Sequence, residues 1–447
     1  MFMKWRKWIA VSVMLTAASG CAAGKENGVG KSNEGGANQP KPLVTDRPVE
    51  LVFYSIARDS EETFNERYGK AIKKKFPNVT IRYVKRVAGE TDLQQYVTTG
   101  QTIDLIWGSL GSWPGILDFK LETDMTDLVK VHGIDLSSFE PYLVDAIKQF
   151  GGGKLYGLPF ENSTNVIYYN KDLFDKFGVG YPKDGMTWDE MYDLSKKLNR
   201  SEGTISYTGF TPSTNQTFIT NMFGIPLIDP KTKKSTFGDP RWKRIVESEF
   251  IQFAKETMYL DVADKLRKGG ALNLANFNKD LVLAMYPSGP LLPLVQPQEM
   301  SAFKWDMAAM PTFAEAKGVG YSAYPNYMSV TAMSKEKEMA MEVLKFLISK
   351  EFQTAMSKSG NMTVLNDKAI QDVMGQESAY KDKHYKAYFF NKFAPISDKS
   401  DLDSKVPAYN SMVNLLMKVA KGELDTNTAL RQAEEDVNKK IGEALAK

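Results

Sequence analysis

The stretch that decides the fold is Leu51-Val52-Phe53-Tyr54-Ser55-Ile56, followed by Val79-Thr80-Ile81-Arg82-Tyr83-Val84 and then Ile103-Asp104-Leu105-Ile106-Trp107. The first and third runs are nearly continuous apolar segments, as expected of strands buried on both faces, and the second alternates with period two. Between the first two, Asp59 and Glu62 open a helical pattern in which Phe64, Tyr68, Ala71, Ile72 and Phe76 share one face, and Pro77 helps to end it. Residues 90–99 allow another helix before the third strand. A β-α-β-α-β order predicts a parallel, doubly wound sheet, which takes ligands outside the carboxyl ends of its strands. Those ends carry Tyr54 and Ser55, then Trp107, Gly108 and Ser109.

Further along, Thr187 and Glu190 have capping-box spacing, so a structural helix should begin at Trp188. Ser334 is expected to cap another helix that turns Val343, Leu344 and Leu347 inward. Leu430, Ala433, Val437, Ile441 and Leu445 form one apolar stripe of a last helix, read as core.

The chain has 447 residues, with 57 Lys plus Arg against 54 Asp plus Glu. That length is ample for two or more core-forming units. Three of the basic residues, Lys4, Arg6 and Lys7, stand at the amino end; without them the charges balance, which argues against a general nucleic-acid binder. The only two histidines, His132 and His384, are far apart, and the single thiol is Cys21. Multi-histidine or cysteine-rich metal sites and a disulfide framework are thereby excluded, and no cofactor is expected.

Lys4, Arg6 and Lys7 precede the apolar run 8–18, which is too short to cross a bilayer as a helix and reads as the core of a signal peptide over residues 1–20. Ala18-Ser19-Gly20-Cys21 then resembles the lipobox of bacterial lipoproteins, with Ala18 where that pattern prefers Leu; the resemblance implies lipidation of Cys21 and a membrane anchor. Residues 22–48 are small, polar, and rich in Gly and Pro, so 21–48 is read as the lipidated residue and a flexible tether. The expected location is the extracytoplasmic face of the cell membrane, in a Gram-positive bacterium.

Several patterns are decoys. Gly24 to Ser32 lacks P-loop spacing and has no preceding strand; Gly318-Val319-Gly320-Tyr321-Ser322-Ala323 has fingerprint glycines without a βαβ unit. The run Asp398, Asp401, Asp403 lacks the glycine and terminal glutamate of a calcium loop and is read as a solvated loop.

Lys154-Leu155-Tyr156-Gly157-Leu158-Pro159-Phe160, Val166 to Phe174, Met186-Thr187-Trp188-Asp189-Glu190-Met191, Leu281 to Gly289, Trp305 to Pro311 and the helix at 340–349 follow one another in an order and spacing that resembles the extracellular solute-binding proteins of ABC importers, the family that includes maltose-binding protein. The resemblance covers nearly all of residues 49–447. It implies a two-lobed α/β fold of the periplasmic-binding-protein type II class, with lobe 1 from 49–161 plus 306–366 and lobe 2 from 162–305 plus 367–447. Chain crossings are expected near 161–165, 300–311 and 362–367, where a hinge absorbs backbone rotation as the lobes close.

On that resemblance the ligand lies between the lobes and is a small solute, expected to be a sugar or oligosaccharide, passed to the permease subunits of an ABC transporter by a monomeric, non-enzymatic receptor. The expected ligand-binding residues are Tyr54, Trp107, Trp113, Glu161, Asn162, Asn165, Gln216, Tyr286 and Tyr324, with Tyr321 and Tyr327 as further aromatic candidates. Flat rings cover pyranose faces while amides and carboxylates bond hydroxyls. With 7 Trp, 20 Tyr and 24 Phe in the chain, most rings must fill cores. A polyamine, metal or anion remains an alternative solute, and a secreted carbohydrate-active enzyme with two carboxylates an alternative class. Tyr168-Tyr169, the pair an iron site would use, is read as packing.

Overall fold

The computed structural model describes residues 46–56, 59–87 and 91–446; the stretch read as a signal peptide, Cys21 and most of the expected tether lie outside the described residues. Ten strands follow in chain order: β1 Val49–Ser55, β2 Val79–Lys85, β3 Leu105–Ser109, β4 Leu158–Glu161, β5 Val166–Asn170, β6 Arg200–Glu202, β7 Ile205–Phe210, β8 Leu283–Ser288, β9 Trp305–Ala308 and β10 Asn326–Val330. They form two five-stranded sheets, ordered β2-β1-β3-β10-β4 and β6-β7-β8-β5-β9. In the first sheet β1 is parallel to β2 and β3, as the β-α-β-α-β pattern predicts, while β10 enters antiparallel between β3 and β4. In the second, β7 and β8 are parallel and β5 is antiparallel to both β8 and β9.

Each sheet has its own core. Leu51, Phe53, Phe64, Tyr68, Ile106, Trp107, Phe160, Met328 and Leu344 belong to the first; Tyr168, Trp188, Phe210, Trp242, Phe253, Met285, Trp305 and Leu416 belong to the second. The helix after β1 starts at Ser60, whose hydroxyl accepts from Thr63 N at 3.1 Å. Asp59, expected to make that cap, instead pairs with Arg67 at 3.1 Å. A single π-turn at Asn65–Gly69 interrupts the helix and keeps Phe64, Tyr68 and Ile72 on the sheet. Asp104 is buried and ties β1 to the loop after β10, accepting from Val52 N at 2.9 Å and Ser334 Oγ at 2.6 Å. Ser334 Oγ also accepts from Glu336 N at 3.1 Å, just ahead of the helix Lys337–Leu347, whose N-cap is Glu336 and which has no side-chain cap bond, so Ser334 orders the approach to the helix and is not its N-cap.

In the second lobe, Thr187 and Glu190 make the full capping box, with Thr187 N to Glu190 Oε2 at 2.7 Å and Glu190 N to Thr187 Oγ1 at 3.2 Å. The last helix, Thr426–Leu445, buries Leu430, Ala433, Val437 and Ile441, but Leu445 is exposed.

The chain passes between the two cores after Glu161 and reaches the second at Val166. It does not return at 300–311. Trp305–Ala308 is the edge strand β9 of the second sheet, held by Tyr169↔Asp306 pairing, and Phe313 and Tyr321 still pack in the second core. Only at Ala323 does the chain enter the first core; Met362 packs in the second, Val364 to Ile370 are back in the first, and from Met374 the chain runs in the second core, with Phe393 and Ile396 touching the first again.

A candidate ligand cleft at the lobe crossings

The crossings and the carboxyl ends of β3, β7 and β8 converge on two cavities that share one residue, Tyr324. The first, of about 250 Å³, is lined by Ser163, Thr164 and Asn165 from the first crossing, Ser213, Gln216 and Thr220 after β7, Tyr286 and Ser288 of β8, and Tyr324. No charged side chain lines it. The second, of about 280 Å³, lies between Ser109 to Ser112 of the first lobe and Ile219, Leu227, Val406 and Tyr409 of the second.

Why these residues meet follows from local structure. Residues 162–165 form an open crossing segment bridging two sheets, so their polar groups cannot all be spent on ladder bonds. Asn162 Nδ2 donates to Tyr142 Oη at 3.1 Å, while Asn162 Oδ1 accepts from Ser163 N at 2.9 Å. Asn165, in contrast, has a buried Nδ2 with no hydrogen-bond partner. A buried donor left unpaired costs free energy unless a ligand or water takes it up, and this one borders the uncharged cavity. Gln216 stands in the first turn of the helix Thr214–Ile219 and offers a second amide. The Tyr286 ring packs beside Phe277, with centroids 6.4 Å apart and planes inclined by 27°. Burial raises its phenol above the ordinary tyrosine value, and a hydrogen bond from Ser213 offsets part of that shift, so the group faces the cavity as a neutral hydroxyl.

The structure divides the nine expected ligand residues. Asn165, Gln216, Tyr286 and Tyr324 meet at the uncharged cavity. Glu161 and Asn162 lie at the first crossing beside a smaller hollow and not at that cavity. The Glu161 carboxylate is enclosed: Arg67 and Tyr68 both donate to its Oε1, and Asn326 Nδ2 donates to Oε2 at 2.9 Å. Tyr54, Trp107 and Trp113 are core residues. Tyr54 is fully buried against Tyr96 and donates to Thr91 O at 2.7 Å. Trp107 is 2% exposed and meets Tyr68 and Phe160 edge to face at 5.6 and 5.2 Å. Trp113 is buried against the backbone of Gly157, where an added Cβ would stand 3.0 Å from the indole ring. Tyr321 and Tyr327 are likewise internal, Tyr321 bonding Glu249 and Thr217 and Tyr327 donating to Leu143 O at 2.7 Å.

The physical reason for the misplaced tryptophan is strand length. β3 runs to Ser109, so Trp107 lies inside the sheet opposite Met328 and not in a loop. Sequence reading missed Thr220, Tyr409 and Lys399, and it left Asp403, with Asp398 and Asp401, in a solvated loop although Asp403 and Lys399 line the second cavity. A cue was present for Tyr409, which begins a helix whose apolar face is core. Among the described residues no group of three or more His, Cys, Asp or Glu side chains is placed to hold a metal ion, and no helix is long and apolar enough to cross a membrane.

Comparison with known proteins agrees with this architecture. The chain is 28% identical over 235 residues to the sn-glycerol-3-phosphate-binding periplasmic protein of Shigella flexneri, covering 49% of this chain and 51% of that one. It thus spans about half the length of the curated relatives it matches. Among solved structures, an ABC substrate-binding protein from Listeria monocytogenes in complex with cycloalternan superposes with a TM-score of 0.67 at 20% identity, over 88% of this chain and 99% of that one. The sugar-binding protein MalE from Xanthomonas citri gives a TM-score of 0.62 at 17% identity, over 89% and 98%. The family profile described as bacterial extracellular solute-binding protein matches residues 57–354, well over half of the chain. With two lobes, repeated crossings and a cleft at their junction, the chain is a member of the bacterial extracellular solute-binding protein family.

Proposed function

We propose that this protein is the receptor of an ABC importer and captures a neutral sugar or oligosaccharide between its lobes. The observation that carries this reading is the uncharged cavity of about 250 Å³, where Asn165, Gln216, Ser213, Ser163 and Ser288 surround the Tyr286 and Tyr324 rings. Amides and hydroxyls both donate and accept, which suits ring hydroxyls, and the tyrosines cover apolar sugar faces. The names of structural neighbours point the same way, since they bind cycloalternan, mannotriose and a cyclic maltosyl-maltose.

Other solutes fit less well. A polyamine would need carboxylates, and none lines this cavity. The Tyr168 hydroxyl bonds Tyr388 at 2.8 Å and Gly289 O at 3.1 Å inside the core, which favours packing over iron ligation. Glycoside hydrolysis needs two carboxyl groups about 5 to 9.5 Å apart across the sugar. The two cavities together hold one, Asp403, which favours a receptor over an enzyme.

In the cycle, ligand docks on one lobe, and closure follows because the closed state adds contacts from the other; that differential affinity shifts the population. The closed receptor then meets its permease, and ATP hydrolysis belongs to a separate subunit. Anchoring of a monomer through lipidated Cys21 at the extracytoplasmic face, in a Gram-positive cell, belongs to the same proposal and rests on the sequence at 1–21.

Isothermal titration with mannotriose, maltotriose and sn-glycerol 3-phosphate tests the reading. A saccharide should bind, and Asn165→Ala and Tyr286→Ala should each weaken it at least about tenfold. Saccharide binding untouched by both substitutions, or binding of the phosphate ester alone, would overturn it.

A further inference from the structure

Residues 391–408, between the 3-10 helix Tyr385–Phe389 and the helix Tyr409–Ala420, contain no helix or strand, yet they are pinned to both lobes. Phe393 packs against both cores, Ile396 against the first, and Leu402 and Val406 are buried in the second. Gln149 of the first lobe donates to Asp398, Asp118 of the first lobe accepts from Lys405 at 3.3 Å, and Lys233 of the second lobe pairs with Asp401. The segment is therefore a strap across the cleft, and its turn carries Lys399 and Asp403 into the 280 Å³ cavity as that cavity's only charged lining.

Their partners are incomplete. Lys399 Nζ donates to Ser397 Oγ at 3.0 Å, and Asp403 Oδ2 accepts from Ser400 N at 3.1 Å. Neither closes into an ion pair, with the other or with any described residue, although each lies within electrostatic reach of the other. These two half-buried opposite charges face one cavity without touching, and each has a single hydrogen bond to the protein, so both keep hydrogen-bonding capacity to spare. A ligand that both donates and accepts satisfies them together: a carboxylate oxygen takes a hydroxyl hydrogen, and the ammonium, with two donors to spare, gives to hydroxyl or ring oxygens.

We infer that Lys399 and Asp403 are a paired recognition site for the hydroxyls of a neutral saccharide, extending the ligand from the uncharged cavity past Tyr324 and under the strap. The inference rests on the proposed sugar reading and adds the residues that select within it. The charges nearby decide between a neutral and an anionic ligand. In the inner cavity Lys399 stands beside the Asp403 carboxylate, and the outer one is lined by Lys231 and Lys233 as well as by Asp398 and Asp401, so neither presents a cationic face free of carboxylates. A phosphate ester of the kind named for the Shigella flexneri relative would meet the Asp403 carboxylate wherever it reached Lys399, whereas a polyol gives a hydroxyl hydrogen to the one and a lone pair to the other. Lys399 also borders an outer cavity of about 430 Å³ that shares Leu110 and Ile396 with the inner one, so the ligand has room for more than one ring along this line.

The test titrates the full chain and its Lys399→Met and Asp403→Asn variants with mannotriose, maltotriose and sn-glycerol 3-phosphate, after each variant's unliganded melting temperature has shown it folded. Asp403→Glu, which keeps the charge but displaces it by one methylene, replaces Asp403→Asn if that variant does not fold. The expected result is saccharide binding by the parent that falls at least about tenfold in each variant, because each leaves the other half-buried charge without its share of the ligand. Equal saccharide binding by parent and variants would overturn the inference and leave the sugar reading standing. Binding of sn-glycerol 3-phosphate alone, or of none of the three, would overturn both.

Discussion

Tyr324 joins the lobes through both ends of the residue: its hydroxyl donates to Ser109 Oγ at 3.2 Å at the carboxyl end of β3, and its backbone N–H donates to Ser163 O at 2.7 Å on the first crossing. Because the ring lines both cavities, its orientation sets their common wall. Tyr324→Ala removes wall and bond together and should weaken saccharide binding by about 2 kcal/mol, some thirtyfold. Tyr324→Phe keeps the wall and should cost only about 0.5–1.5 kcal/mol. Calorimetric titration of the two variants separates the contributions, and equal losses would show that the hydroxyl bond, not the ring, is what matters.

Glu161 holds the first crossing from beneath. Its carboxylate takes hydrogens from Arg67, Tyr68 and Asn326, and Arg67 keeps Asp59 as a second partner at 3.1 Å. Removing one member of a buried pair leaves the other charge uncompensated, so Glu161→Ala should lower stability by about 3 kcal/mol or more. Urea unfolding measures this; a change under about 1 kcal/mol would mean that Asp59 and water suffice for Arg67.

A core role for Trp107 makes a separate prediction. The indole fills space among Tyr68, Phe160 and Phe64 in the first lobe. Trp107→Ala should therefore cost about 3–5 kcal/mol of stability through the cavity it leaves. In protein that remains folded, saccharide affinity should change little. A selective loss of affinity with unchanged unfolding would return Trp107 to the ligand site.

Glu249 sets the pH dependence of the second lobe. It is fully buried, Tyr321 and Thr217 are its hydrogen-bonding neighbours, and burial pushes its carboxyl up to about 8. With a folded value above the unfolded one, the folded state holds the proton more tightly. Its contribution is full below about pH 4.5, declines as pH rises, and is lost by about pH 8. Glu249→Gln, which keeps the shape without the charge, should flatten the fall in melting temperature between about pH 5 and 8. An unchanged slope would show that other groups set it.

Much of the fold was legible because its signals are local. The parallel order of β1, β2 and β3 follows from apolar runs separated by one-faced helical patterns, and the Thr187–Glu190 box marks its helix from spacing alone. What sequence did not disclose depends on distant partners. The antiparallel insertion of β10 between β3 and β4 pairs Met328 with Trp107, and only that pairing shows that β3 continues past the tryptophan into Ser109. The return crossing was placed too early because Trp305–Ala308 reads as a strand without saying which sheet it joins. Four residues of the uncharged cavity, Asn165, Gln216, Tyr286 and Tyr324, could be picked out from the sequence, since amides and rings beside strand ends are recognisable. Lys399 and Asp403 were not, because charge in a loop looks solvated until the other lobe encloses it.

The most direct measurement is the melting temperature of the chain against a panel of neutral mono- and oligosaccharides, with sn-glycerol 3-phosphate, spermidine and ferric iron as controls. A saccharide present at 100 times its dissociation constant should stabilise the protein by about 2.7 kcal/mol, and that shift should disappear in Asn165→Ala. A shift produced by a control solute and by no saccharide would contradict the account.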